Sequence, residues 1–274
     1  SQVVVRNVPG AGHIIATNQV YAAPPDGLTL KTFNTGLIYA QLLEREGIQF
    51  DLRRMSWIGK AAADPRVLVV GVDTPFSSVE ALRGSPEPIL LATSGVGSAS
   101  HNESMLLQSA LGFEAKLIPG YGGGEGEMAV LRGEVAGMLG SLSSLRPYVE
   151  RGQGRYLLRV GGGKAQLPSV PDAAGLTSTD KGRALIALMA AQAELGRLTA
   201  APPGVPAPRL AVLRQAYAKA LTDPGLIAQA ERLRLPLAPL AGDEVERRVV
   251  AALAQPPDTQ AMIREFAPRK KKKP

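Results

Sequence analysis

Short apolar runs alternate with stretches of helical periodicity along most of the chain. The runs at 67–72 and 89–92 are continuous and bounded by turn residues, which is typical of strands buried on both faces. Between such runs, apolar residues recur every three or four positions, as Leu37, Ala40 and Leu43 do, and this spacing predicts helices. The rhythm of strand and helix predicts an α/β fold with parallel-rich sheets flanked by helices.

The predicted elements follow one another closely from the first residues onward. Strands are predicted at 3–5, 28–33, 67–72, 89–92, 115–118, 135–140 and 157–160. Helices are predicted up to Tyr21, from 34 onward, at 77–82 and 128–132, from 143 or 144 to 148, and at 207–221, 225–233 and 243–253. Proline-rich connections at 168–171 and 202–208 separate the last helices from the rest.

Small polar residues recur directly after predicted strands. In an open α/β sheet, ligands bind beyond the carboxyl ends of the strands, so loops of this kind converge on one crevice. Their hydroxyl and backbone N–H groups suit a carboxylate without any Lys or Arg. The candidate ligand-binding residues are Asn34, Thr35, Gly36, Ser94, Gly95, Val96, Gly97, Ser98, His101, Tyr121, Gly122, Gly123, Ser141 and Ser143.

The loop ATSGVGSASH at 92–101 has two interpretations. It is either a tight turn between a strand and a helix, or a cradle in which glycines let the backbone approach an anion at the helix start. No Lys follows the glycines as in a Walker loop, and the GxGxxG spacing of dinucleotide folds is missing. The loop alone leaves both interpretations open, and the repetition of similar loops favours the binding site.

Composition narrows the class of protein further. With 274 residues, 45% hydrophobic and 20% charged, the chain is globular and long enough for two domains. It has no cysteine, which excludes disulfides and thiolate metal sites. The two histidines, His13 and His101, lack the spacing of paired metal ligands, and Ser94 and Ser98 lack a nucleophile elbow. We therefore predict no catalytic residues, no metal and no cofactor.

The positive charge is concentrated at the carboxyl end. Of the net charge of +7, residues 269–273 (RKKKK) contribute five and leave +2 for the rest. Aromatic residues make up only 4%, and no basic stripe is interleaved with them, so nucleic acid is not a predicted partner. Residues 269–274 are predicted to be a disordered basic tail, through which the protein could join a larger membrane-associated complex.

Several segments, in the same order along almost the whole chain, resemble the substrate-binding receptors of tripartite tricarboxylate transporters, the Bug family of the periplasmic binding protein superfamily. The longest resembles that family's proline-glycine motif followed by PDG, and reads VVVRNVPGAGHIIATNQVYAAPPDGLTL here. The others are FDLRRMSWIGKAAADPRVLVV, SGVGSASH, PGYGGGEGEMAVLRGEVAGMLGSLSSLRPYVERG, LPSVPDAAGL and TAAPPGVPAPRLAVLRQAYAKALTDPGLIAQAERL.

The resemblance implies a two-lobed periplasmic binding protein fold of type 2, hinged at two crossing strands near 61–67 and 189–199. Lobe 1 would comprise 1–65 and 189–268, and lobe 2 would comprise 66–188. It also implies a bacterial, periplasmic receptor that captures a small organic acid between its lobes and delivers it to membrane permease subunits of the transporter. Such receptors perform no chemistry on the ligand.

Two departures from the family pattern bear on ligand binding. Family members usually carry a further strand, loop and helix ahead of the first matched segment, and that loop helps to bind ligand. Its absence here suggests either a fragment or a protein that has lost part of its pocket. The family's GEVD reads GEVA here, so Ala136 replaces a carboxylate that could organise the glycine loop.

Two other functions stay open at this stage. One is a structural or accessory subunit derived from a binding protein, favoured by the missing first unit and the lysine tail. The other is a hydrolase using Ser94 or Ser98 with His101, for which the sequence offers no acidic partner.

We predict that deleting residues 269–273 leaves the melting temperature unchanged, because five adjacent like charges cannot be buried together. The deletion should remove only a weak, salt-sensitive attraction to anionic surfaces, of about 1 kcal/mol per residue near such a surface. Differential scanning calorimetry of both proteins measures this, and a loss of many degrees on deletion would contradict it.

Overall fold

The fold is described from a computed structural model that covers residues 2–266, within which the chain forms nine strands and eleven α-helices. The strands are β1 Lys31–Phe33, β2 Ser56–Ala62, β3 Arg66–Gly71, β4 Ile89–Thr93, β5 Ala115–Pro119, β6 Gly137–Ser141, β7 Gly154–Val160, β8 Leu198–Ala201 and β9 Leu237–Ala241. The helices are α1 Ile14–Tyr21, α2 Gly36–Leu42, α3 Val79–Arg83, α4 Ala99–Leu111, α5 Glu125–Leu131, α6 Leu142–Glu150, α7 Asp180–Ala193, α8 Ala207–Leu221, α9 Pro224–Arg232, α10 Gly242–Leu253 and α11 Pro257–Arg264. The predicted basic tail at 269–274 lies outside the described residues.

The strands form two separate sheets. The first has the order β1-β8-β2-β9, and each of its neighbouring pairs is antiparallel. The second has the order β5-β4-β6-β3-β7, in which β4 runs parallel to β5 and β6 while β3 runs antiparallel to β6 and β7. The α/β class is therefore confirmed, but the sheets are mixed, and the predicted parallel direction holds only for β5-β4-β6.

The second sheet is covered by helices on both faces, as the strand β3 shows. Its successive side chains alternate between two hydrophobic clusters: Val67 and Val69 face α5 and α6, and Leu68 and Val70 face α4 and α7. All four are 0% exposed. A strand buried on both faces needs apolar residues at every position, which explains the unbroken run in the sequence.

The first sheet is built around Trp57 of β2. This side chain is 1% exposed, packs against the ring of Phe33 with ring centroids 4.9 Å apart, and donates from Nε1 to the carbonyl oxygen of Leu52 at 3.0 Å. Val245 and Val249 of α10 are fully buried in the same cluster. The first sheet thus has a hydrophobic core of its own.

The chain passes between the sheets at neighbouring places. The segment joining β2 to β3 lies beside the segment joining α7 to β8, with the amide of Ala61 donating to Arg197 O at 3.2 Å and that of Asp64 donating to Ala193 O at 3.4 Å. The crossing strands near 61–67 and 189–199 and the division into lobes stay predictions. The last helix, α11, packs against α7 and places Ile263 in the core of the second sheet.

One prediction of local structure is wrong, and several elements were not predicted. Residues 3–5 are not a strand: Val3, Val4 and Val5 are 87%, 71% and 84% exposed and pair with none of the described strands. A strand needs a partner edge, which local sequence does not reveal. The helix α7 was not predicted; its interior is apolar on several sides because it is packed between α4, β7 and α11. The strands β2, β8 and β9 were not predicted either, and β8 has only four residues.

The two halves of the molecule meet where glycine removes the side chain. A methyl group added to Gly36, the first residue of α2, would lie 2.7 Å from the amide nitrogen of Ala99 at the start of α4. One added to Gly12 would lie 3.0 Å from the carbonyl of Gly97. Since these neighbours are backbone atoms, they cannot move aside as a flexible side chain would.

We expect Gly36→Ala to lower the free energy of unfolding by roughly 1–3 kcal/mol, the usual range for overpacking against rigid neighbours. The matched control is Gly175→Ala, because a methyl group there has no atom within 4 Å. It should change stability by less than about 0.5 kcal/mol. Urea denaturation compares the two, and equal effects would mean that the contact at Gly36 is not tight.

Candidate functional site

A cleft of about 290 Å³ opens between the two sheets. Its walls come from the carboxyl ends of β1, β4 and β6, the amino ends of α4 and α5, and the segments that connect the two sheets. Loops after strands therefore do converge, as the sequence suggested, and they meet across the two halves of the molecule.

Half of the predicted site residues line this cleft. They come from all four predicted loops, namely Asn34, Thr35, Ser94, Ser98, Tyr121, Gly123 and Ser141. The others do not contribute to its wall, namely Gly36, Gly95, Val96, Gly97, His101, Gly122 and Ser143. Most of this second group shapes or supports the loops instead of facing the cleft.

Three serine hydroxyl groups gather at the start of α4. The Ser100 hydroxyl lies 3.1 Å from that of Ser98 and 3.4 Å from that of Ser94, and it accepts a hydrogen bond from the Ser94 amide at 3.1 Å. Ser98 is the N-cap and accepts from the amide of His101 at 3.3 Å. All three serines line the cleft, although only Ser94 and Ser98 were predicted to.

The same place is the positive end of a long helix. α4 has 13 residues, and the amides of Ala99 and Ser100 in its first turn have no carbonyl within the helix to bind. The aligned peptide dipoles add a partial positive charge at this end. Hydroxyl groups, free amides and the helix dipole together make a site suited to an anion.

Gly97 stabilises the loop through contacts with Asn102 and Arg45. Its φ of +85° lies in the left-handed region, and its carbonyl accepts from Nδ2 of the buried Asn102 at 3.1 Å. Asn102 Oδ1 in turn accepts from Nη2 of Arg45 at 2.9 Å. A methyl group on Gly97 would lie 3.0 Å from the Arg45 guanidinium, so this glycine makes room for the arginine and not for a ligand.

His101 is half-buried on α4 and faces away from the cleft. Burial lowers the pKa of its imidazole, and the positive charge of Arg45 lowers it further. The imidazole is therefore mostly neutral near pH 7. Its position matches a packing role and gives no support to a hydrolase that would use it with Ser94 or Ser98.

Of the remaining predicted residues, Ser143 and Gly122 bind nearby carboxylates, whereas Gly95 and Val96 border open space or solvent. The amide of Ser143 donates to Asp64 Oδ1 at 3.1 Å, and its hydroxyl donates to the other carboxylate oxygen. The amide of Gly122 donates to Glu125 Oε2 at 2.7 Å. Gly95 has a φ of +155° with open space around it, and the side chain of Val96 is 58% exposed.

Five ionisable residues that were not predicted as site residues also line the cleft, namely His13, Asp64, Arg66, Glu127 and Arg197. The prediction that the site needs no Lys or Arg overlooked the two arginines. A signal was present at the predicted crossing, where Asp64 and Arg66 flank a proline between apolar runs. Nothing local marks Glu127 or Arg197, because their place in the wall depends on how the two halves meet.

Two of these residues have unusual backbone conformations. His13 has a φ of +75° and Arg197 a φ of +55°, both in the left-handed region that favours glycine. Such conformations cost on the order of 1 kcal/mol or more and are enriched at functional sites. Desolvation lowers the pKa of His13, and the nearby charge of Lys31 lowers it further, so neutral imidazole is favoured.

Arg66 extends from the start of β3 to a carboxylate below the cleft. Its Nε donates to Glu103 Oε2 at 2.7 Å, and the side chains are 14% and 0% exposed. Burial raises the pKa of Glu103, and the charge and hydrogen bond of Arg66 oppose that shift. Tyr39 lies close enough for the Glu103 charge to raise its own pKa in addition to burial.

Ala136, which stands where the family pattern has aspartate, lies away from the cleft. It lines a different cavity of about 440 Å³ at the opposite end of the second sheet, beside Gly71 and Leu90. Its amide donates to Leu90 O at 2.8 Å and its carbonyl accepts from Gly71 at 3.0 Å. Because Ala136 lies at this other end of the sheet, its replacement of the family's aspartate is not expected to act directly on the glycine loop.

Two features are absent from residues 2–266. Their histidine and acidic side chains form no group of three or more placed to hold a metal ion. None of their helices is both long and apolar enough to cross a bilayer.

The two sheets, with separate cores and a cleft between them, define a two-lobed α/β binding protein. The chain belongs to the family described as "Tripartite tricarboxylate transporter family receptor", whose sequence profile matches residues 1–235. The family consists of substrate-binding receptors and not of enzymes. This membership confirms the resemblance found in the sequence, and a family of receptors agrees with the prediction that the protein is not an enzyme.

Known proteins with related sequences or folds agree with this assignment. A protein of Pseudomonas sp. (strain P51), "UPF0065 protein in tcbD-tcbE intergenic region", is 33% identical over 184 residues, which is 64% of this chain and 54% of that protein. The chain spans about half the length of the curated relatives it matches. The periplasmic binding protein BugD has a similar fold, with a TM-score of 0.77 at 22% identity over 96% of this chain and 86% of that one. MatC (Rpa3494) of Rhodopseudomonas palustris, solved with bound malate, has a TM-score of 0.71 at 20% identity over 93% and 85%.

We predict that Gly97→Val weakens binding of a small organic acid by about tenfold or more, which corresponds to about 1.4 kcal/mol. A β-branched residue is strongly disfavoured at this φ, and its side chain would displace Arg45. His101→Gln should change the Kd by less than about threefold, because this half-buried side chain does not line the cleft. Calorimetry with C4 to C6 dicarboxylates compares them, and a larger effect of His101→Gln would contradict the geometry.

Proposed function

We propose that the protein is an extracytoplasmic receptor that captures a small organic acid between two lobes for a tripartite tricarboxylate-type transporter. Lobe 1 comprises residues 1–65 together with the segment from 189 to α10, and lobe 2 comprises 66–188. The ligand would occupy the cleft that the two lobes share.

The amino end of α4 is the observation that carries this proposal. The Ser100 hydroxyl lies 3.1 Å from that of Ser98 and 3.4 Å from that of Ser94, beside the unpaired amides of the first turn. A carboxylate placed there accepts charge-assisted hydrogen bonds and is stabilised by the helix dipole. Asn34 and Thr35 reach the same cleft from the other lobe, so closure of the lobes would enclose the ligand.

Family membership supports the remaining parts of the proposal. A receptor of this family works with membrane permease subunits, which would take the ligand from the cleft. MatC, a neighbour in fold, holds malate, a small dicarboxylate. A periplasmic location follows for a receptor that meets its permease outside the cytoplasmic membrane.

One observation favours a second candidate, an accessory subunit that has lost ligand binding. The exposed valines at 3–5 form an apolar strip that a partner protein could cover. Native mass spectrometry distinguishes the two, since a receptor would be a monomer and a subunit would co-purify with its assembly.

The proposed function is tested by calorimetry with succinate, glutarate and adipate on the intact protein and on Ser100→Ala. The Ser100 hydroxyl bridges the other two, so its loss should weaken binding by about tenfold, as expected for one hydrogen bond to a charged group. The matched control is Ser169→Ala, an exposed serine outside the cleft, which should leave the Kd unchanged. Failure of every organic acid to bind the unmodified protein would reject the receptor function in favour of the subunit.

A further inference from the structure

Arg66 presents an unused hydrogen-bonding edge to the cleft. Its Nε is held by Glu103 at 2.7 Å, whereas neither Nη1 nor Nη2 makes a hydrogen bond to any residue in the described part of the chain. The side chain lines the cleft and retains 14% exposure, so this edge is open to a ligand. The two Nη groups of a guanidinium form a planar fork that matches a carboxylate.

The buried carboxylate of Glu103, below the cleft, restrains the orientation of this fork. Glu103 lies on α4 and is fully buried, so it cannot follow the arginine out of the protein. The short bond to Nε anchors the guanidinium on Glu103 and leaves its two Nη groups free of that partner. A cation held in this way loses little conformational entropy when it binds an anion.

The neighbouring carboxylate does not occupy this edge. Both oxygens of Asp64 accept hydrogen bonds from Ser143, and the closest cation to Asp64 is Arg197 at 3.9 Å. Among the described residues, the salt bridge of Arg66 is with Glu103. Glu127 also lines the cleft, but its buried Oε2 has no hydrogen-bonding partner among them.

We propose that Arg66 binds a second acidic group of the ligand, in addition to the group held at the amino end of α4, and that Glu103 is the residue that positions it. The inference rests on the proposed function and adds to it a basis for selectivity. A ligand with two acidic groups engages both the neutral donors and the guanidinium fork, whereas a monocarboxylate of the same length engages only one. The cleft would therefore select dicarboxylates over monocarboxylates through one named side chain.

The test compares ligands that differ only in the second acid. Calorimetry measures Kd for succinate against butanoate, glutarate against pentanoate and adipate against hexanoate. The intact protein should prefer the best-fitting diacid by about tenfold or more, the effect of one bidentate charged contact.

The double variant Arg66→Gln with Glu103→Gln should remove this preference. It exchanges a buried ion pair for two neutral amides, so no unpaired buried charge remains and net charge is unchanged. The matched control is Arg197→Gln, which removes the other arginine of the cleft, one that is 51% exposed, and should keep the preference.

Variants of Glu103 separate positioning from stability. Glu103→Gln retains an oxygen that can accept from Arg66 Nε and should keep the diacid preference. Glu103→Ala releases the guanidinium and should reduce the preference several-fold. A merely structural role would lower the melting temperature of both variants and leave the ratio of the two Kd values unchanged.

Each other outcome overturns the inference in a recognisable way. Equal binding of diacid and monoacid by the intact protein, or an undiminished preference in the double variant, would reject Arg66 while leaving the receptor function in place. Loss of preference in Arg197→Gln alone would assign the role to that residue instead. Failure of all six acids would reject the proposed function as well.

Discussion

Gly12 and Gly36 bring the main chain of one lobe against residues 97–99 of the other, so closely that a methyl group would meet backbone atoms at 3.0 and 2.7 Å. This contact sets the distance between the lobes at the amino end of α4. With side chains excluded, the cleft there is walled by amides, carbonyls and the short serine side chains. The neutral donors at the amino end of α4 follow from this spacing, because the close approach of Gly12 and Gly36 leaves no room there for a further side chain.

Behind the contact lies a layer of buried polar groups that α2, α4 and α7 share. Tyr39 OH, Glu103 Oε1, Ser104 Oγ and both amide atoms of Gln192 are buried without a hydrogen-bonding partner in the described part of the chain. Each such group costs about 1–3 kcal/mol, so the layer is a poor source of stability. A buried ion pair is likewise weak evidence for stability. The Arg66–Glu103 pair is better understood through the orientation that it gives to the arginine.

The elements that sequence could predict are those with a local cause. The all-apolar β3 follows from burial on both faces, and the start of α4 follows from the serine cap at Ser98. The candidate loops could be predicted because their small polar residues follow the strands directly in the sequence, and seven of the predicted residues line the cleft. The direction of strands in the first sheet, the exposure of residues 3–5 and the roles of Arg66 and Arg197 depend on which distant segments meet. Periodicity along the chain does not indicate which distant segments contact one another, although the family resemblance implied the two-lobed arrangement.

Pro65 separates two residues that link recognition to the arrangement of the lobes. On one side, the Asp64 amide donates to Ala193 O, and the Asp64 carboxylate accepts from the amide and hydroxyl of Ser143 in the first turn of α6. On the other side, Arg66 begins β3 and reaches the cleft. The proline fixes φ between them, so little backbone freedom separates the two. On the proposed role of Arg66, a bound ligand would lie one residue from Pro65, beside the segment by which the chain passes between the two sheets.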